Sequence, residues 1–168
     1  MNPTDKQKKR VLVIDDRPAP VAQMIDRVGA LRGEFSLTIT DRSGKVVERY
    51  EDKNLIVNVA KSTLAALIGT GNSAKRVSKI AFGTSSIAPD VADTVITNSV
   101  TKDIEAATYP EFNSVAFAWT LDYADANGVN IAEFGLLSFD ESLFARKTRT
   151  AIAKTADLRL TGVWKIVF

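Results

Sequence analysis

Beyond Gly33 the chain alternates between apolar and polar residues with a period of two. Phe35, Leu37 and Ile39 interleave with Ser36, Thr38 and Thr40, the pattern of a strand with one buried face. Asp41, Arg42, Ser43 and Gly44 form a turn sequence, and Lys45–Tyr50 runs back from it as a hairpin partner. Asn54–Val57 leads into the one helix that the spacing predicts, from about Val59 to Ile68. Asn58 is its expected N-cap, Gly69 and Gly71 its stop, and Ala60, Leu64, Leu67 and Ile68 its apolar face.

Strand patterns then resume. Val77–Phe82 is a strand closed by Gly83, Thr84–Val91 a loop holding Pro89, and Thr94–Ile104 a long polar strand. Val115, Phe117, Trp119, Leu121 and Tyr123 give the clearest alternation. Asp125–Gly128 is a hairpin turn from which Val129–Phe139 is expected to pair back. Asp140–Ser142 turns into a short basic strand, Leu143–Arg149. Leu158, Leu160, Trp164, Ile166 and Phe168 share one face of a last strand, with Trp164 expected in the core beside Phe117 and Trp119. Seven or more strands and one helix predict a mainly β fold, an antiparallel β-sandwich with the single helix across one edge or end.

Residues 1–32 read differently. Lys6, Lys8, Lys9 and Arg10 make the start basic, Val11–Ile14 is a short strand-like run, and Pro18 and Pro20 block a helix there. Val21–Leu31 is a candidate short helix with Val21, Met24, Ile25 and Val28 on one stripe. The division is an N-terminal arm, 1–32, and a β-sandwich domain, 33–168.

Composition narrows the chemistry. The 168 residues carry 22 basic and 20 acidic side chains, a net charge of +2. This near-neutrality does not direct the chain to nucleic acid or to an anionic surface. Cysteine and histidine are both absent, which excludes disulfides, thiolate nucleophiles, serine triads and zinc sites built on Cys or His. No apolar stretch approaches the length of a membrane span, and Val11–Ile14 is too short for a signal core. The expectation is a chain made and folded in a cytoplasm, not an enzyme, with no catalytic, cofactor or metal site.

Four local patterns test that expectation. Val11–Asp16 is similar to the first strand and Mg²⁺-holding acidic pair of a receiver domain, but the five strand–helix units of that fold do not follow. Gly83, Thr84, Ser85 and Ser86 follow a strand as a phosphate loop would, yet Ile87 and Pro89 come next in place of a Lys and a helix start. Asp122, Asp125, Glu133, Asp140 and Glu141 sit near turns, without calcium-loop spacing or a paired-acid arrangement. Arg146, Lys147 and Arg149, with Lys154 and Arg159, form the densest basic run. It lacks the interleaved aromatics of a nucleic-acid platform and reads as a solvated face or a protein interface. The candidate interface residues are thus Lys6, Lys8, Lys9, Arg10, Arg146, Lys147 and Arg149.

From Phe35 to Phe168, several blocks in order resemble a recurrent class of small virion proteins of tailed bacteriophages. They are Leu37–Asp41 with Gly44–Val47, Lys53–Val57 before the helix, and Ile80–Thr84 with Pro89, Asp93 and Thr94. The densest, Ile131–Leu137, is followed by Leu143–Lys147, Ile152–Lys154 and Leu160–Phe168. The resemblance implies a structural part of the particle, in the tail, baseplate or fibre-attachment region, with the neck or collar as alternative. It implies other phage structural proteins as partners, a homo-oligomeric ring or cluster, and assembly in the host bacterial cytoplasm. Neighbours in such assemblies exchange arms or add strands to exposed edges. A host-surface carbohydrate-binding module at a tail tip is the reading from a different class.

Overall fold

The computed structural model describes residues 31–168. Val11–Asp16 and the candidate interface residues Lys6, Lys8, Lys9 and Arg10 lie outside them. The described chain is mainly β. The strands are β1 (Arg32–Asp41), β2 (Val46–Ile56), β3 (Val77–Gly83), β4 (Val100–Asp103), β5 (Ala106–Thr108), β6 (Ser114–Leu121), β7 (Asn130–Ser138), β8 (Leu143–Ala153) and β9 (Leu158–Val167), with one α-helix, α1 (Asn58–Thr70). β1 begins at Arg32, and Leu31 already packs against the core.

The nine strands form one antiparallel sheet in the order β4-β3-β7-β8-β2-β1-β9-β6-β5, curled into a half-barrel. β2 is the corner. Its first part pairs with β1, while Leu55 and Ile56 pair with Arg146 and Ala145 of β8. At the opposite side the chain passes directly from β4 to β5. There the Ile104 amide donates to the Ser78 carbonyl of β3, and the Glu105 amide to the Ala118 carbonyl of β6. The first and last strands of the sheet are therefore consecutive in sequence.

The curl exists because both halves carry apolar inner faces. Phe35, Leu37 and Ile39 of β1, Phe117, Trp119 and Leu121 of β6, and Leu160, Trp164 and Ile166 of β9 meet Ile80, Phe82, Phe134 and Leu136 of β3 and β7. Phe35 lies 4.9 Å from Phe134 and Phe82 lies 5.3 Å from Trp119, ring centre to ring centre, across the interior. These offset and edge-on contacts add to the area buried. Trp164 stands in register with Phe117 on the adjacent strand, and its ring meets Phe35 edge-on at 5.1 Å.

Several sequence expectations change. The strands belong to one continuous sheet. The Asp125–Gly128 turn is present, with Ala126 and Gly128 at positive φ, but it does not close a hairpin. β6 pairs with β5 and β9, and β7 with β3 and β8. Of Thr94–Ile104 only Val100–Asp103 is strand, β5 is an addition, and β8 runs on to Ala153. The helix starts at Asn58 itself. Val57 occupies the cap position, and the Asn58 amide donates to the Val91 carbonyl. Ile68 is exposed, as is nearly half of Phe168.

Candidate functional site

β7 is buried on both faces. Its inner side chains, Phe134 and Leu136, enter the core, whereas Glu133, Gly135 and Leu137 point outward. What covers them is the segment 84–99 between β3 and β4. Ile96 lies over Gly135, where a Cβ would fall 2.4 Å from Ile96 Cγ1, and over Gly83, where it would fall 2.6 Å from Ile96 Cγ2. Such spacing admits only glycine unless the segment moves. Val57, Ala81, Leu137 and Leu143 form a second apolar cluster there, with Val59 and Ile96 against it.

An ion network holds the same segment. Glu133 is fully buried, and one carboxylate oxygen accepts from Arg146 Nε at 2.6 Å. The other accepts from the Thr97 amide at 3.0 Å and the Ser85 amide at 3.3 Å. Arg146 Nη1 reaches Asp93 at 2.6 Å and Nη2 the Ile87 carbonyl at 3.3 Å. The carboxylate of Asp93 also accepts from the Asp90 amide at 2.8 Å. Burial would raise the pKa of Asp93, but the Asp90 amide and Arg146 outweigh it and hold the group below the ordinary carboxylate value. One guanidinium thus joins β7, β8 and two points of the covering segment.

The basic run divides among three tasks. Arg146 is buried in this network, with no surface to offer a partner. Lys147 binds Asp52, and Arg149 binds Glu48 at 2.8 Å. Both cations lie over the Tyr50 ring, Arg149 at 4.6 Å and Lys147 at 5.7 Å from its centre. β2 and β8 share backbone pairs only at Leu55 and Ile56, so these side chains tie the two strands where their backbones part. Lys154 is buried, and Nζ donates to the Thr155 carbonyl at 3.0 Å and to Asn127 Oδ1 at 3.2 Å. Burial lowers its pKa against the opposing pull of Asp125 and Asp122.

The turn carboxylates do not converge. Asp125 pairs with Lys102, Asp140 with Lys75, Glu141 with Lys79 and Asp122 with Arg159. Among the described residues no group of three or more acids is placed to hold a metal ion, and no helix is long and apolar enough to cross a membrane. The Gly83–Ser86 stretch turns its Ser85 amide toward Glu133, an anion already supplied by the protein. The sequence hid this network because Glu133 and Arg146 stand in different patterns. Hairpin register alone does not reach it: counted back from Leu137 opposite Leu143, a regular ladder would set Gly135 against Ala145, and it is the register shift between Leu136 and Leu137 that brings Arg146 opposite Gly135, with Glu133 one diagonal away.

A separate apolar groove of about 670 Å³ opens between α1 and the ends of β6 and β9, lined by Leu64, Leu67, Tyr109, Phe112, Ile166 and Phe168 among others. No family model, curated protein or solved structure matches the chain.

Proposed function

We propose that the chain is a structural component of a tailed-bacteriophage virion, assembling with copies of itself and other phage proteins in the tail, baseplate or fibre-attachment region. The observation that carries the reading is the ordered series of blocks from Leu37 to Phe168, whose densest member, Ile131–Leu137, is buried on both faces of β7. The neck or collar is the second position. In this reading the curled sheet is a sandwich-like building block with no catalytic role. Its ionic and glycine contacts stiffen a surface segment, and Met1–Ala30 serves as an assembly arm.

A carbohydrate-binding module is less well supported, because Trp119 and Trp164 are buried and offer no face to a sugar. The test is mass spectrometry of density-purified particles, with electron microscopy of particles made without this chain. The proposal expects the protein in the particle in many copies and defective tails without it. Normal infectious particles lacking the protein would overturn it. Deletion of Met1–Ala30 is expected to leave a folded domain that no longer enters particles.

A further inference from the structure

The apolar groove lies where the described chain begins. Arg32 is in register with Val167, and one step further along the ladder Leu31 comes opposite Phe168, which lines the groove. The inner face of β1 is its odd-numbered side, Phe35, Leu37 and Ile39. Leu31 continues that side, and it packs against the core. The described chain therefore begins on the apolar side of the sheet, beside Phe168 at the groove.

The groove's far rim is open. Phe112 is fully exposed and Tyr109 nearly so, both on the 109–113 turn between β5 and β6, and nearly half of Phe168 is exposed beside them. Three large apolar side chains around one concavity are more than scattered surface hydrophobics.

The sequence immediately before Leu31 has the matching pattern. Val21, Met24, Ile25 and Val28 form one helical stripe. Ten residues of helix are about 15 Å long, enough to cross a groove of this kind. An amphipathic helix laid in an apolar groove is a recurrent mode of docking, read from anchors at this spacing. We infer that the groove is the docking site of this chain's own segment Val21–Ala30, which covers Phe112, Tyr109 and Phe168. Attachment at Leu31 makes the docking intramolecular and gives the segment a high effective concentration at the groove. The inference is independent of the virion proposal.

The absence of cysteine from the chain makes a disulfide trap clean. The full-length protein with Ile25→Cys and Phe112→Cys is compared with a control pair, Ile25→Cys and Val47→Cys. Val47 is exposed at the far end of the β1–β2 hairpin, about 25 Å along the strand from Arg32. Phe112 has no packing to lose, and circular dichroism and melting confirm that both variants fold. In a glutathione redox buffer at low protein concentration, the first pair is expected to close within one chain with an effective concentration at least tenfold above the control. Equal closure in the two pairs overturns the inference. Closure of the first pair mainly as covalent dimers also overturns it, and shows that the segment docks on a second copy. Neither result bears on whether the protein is found in particles.

Discussion

Arg146 Nε stands 2.6 Å from the carboxylate of Glu133, and both side chains are withdrawn from water. Such a pair is a weak source of net stability but an expensive one to break, because the survivor is left charged and unmatched. Arg146→Met is expected to cost about 3–5 kcal/mol in urea unfolding. Glu133→Leu is expected to cost as much, since it also abandons the Thr97 and Ser85 amides. The double variant should lose less than the sum, and strict additivity would show that the two side chains do not act as a unit.

Gly135 and Ile96 make a second couple. Gly135→Ala places a methyl against Ile96 and is expected to cost about 1–3 kcal/mol, the usual range for overfilling a packed site. Ile96→Ala in the same chain should recover part of that loss. Hydrogen exchange should show Thr84 and Thr97, whose backbones bond each other at 3.1 Å, opening together in the single variant.

Trp164 has none of its surface exposed and is held between Phe35 and Phe117. Trp164→Ala is expected to cost about 3–5 kcal/mol, a large share of a typical stability of about 5–15 kcal/mol. Lys165→Ala should be mild, since its side chain faces outward to Glu111 and Glu34. Removal of Phe168 alone should also be tolerated. Removal of Lys165–Phe168 should not, because Ile166 and Val167 are both buried. Thermal melting of the four variants separates these outcomes.

Acid should weaken the fold in a defined window. Lys147, the Lys53 amide and the Tyr50 hydroxyl hold Asp52 down at about 2, against an ordinary 3.8. Asp93, Asp125 and Asp140 are also held below that ordinary value. Each group binds fewer protons folded than unfolded, so its contribution is complete above the unfolded pKa and is lost as pH falls through the folded one. The melting temperature should therefore be level from about pH 7 to 5 and fall from about pH 4 toward 2. Lys147→Met should remove part of that slope.

Lys154 acts with the same sign at the basic end. Its folded pKa lies below 10.5, so the unfolded chain binds the extra proton and stability rises with pH up to the unfolded value. Other lysines, including Lys102, Lys147 and Lys165, are raised and work against it. The measurement is therefore the difference between the natural chain and Lys154→Met. The variant is expected to be as stable at neutral pH or more so, with its advantage shrinking as pH approaches the unfolded value.

Strands with one buried face were legible in the sequence. β1, β6 and β9 follow the alternation of Phe35, Phe117 and Trp164 with their polar neighbours, because water and core select opposite residue types. The turn at Asp125–Gly128 was legible as a turn but not as a connection. Positive φ at Ala126 and Gly128 fixes local direction and leaves the strand partner to the core. Thr94–Ser99 reads as strand, yet its Thr97 amide is satisfied by a side chain thirty-six positions away in sequence. A side-chain acceptor that replaces a ladder leaves no periodic trace. Arg146 reads as surface for a related reason: the cost of burying it is offset by Glu133 and Asp93, which belong to other segments.

The direct passage from β4 to β5 also limits how this molecule can meet others. The sheet ends in strands of four and three residues, and between them the chain turns the corner at Ile104 and Glu105. An incoming extended segment finds only a few amides in line before the template bends away, too short for the long in-register ladders that seed fibrils. At high concentration, copies of the chain are thereby protected from indiscriminate stacking through these edges.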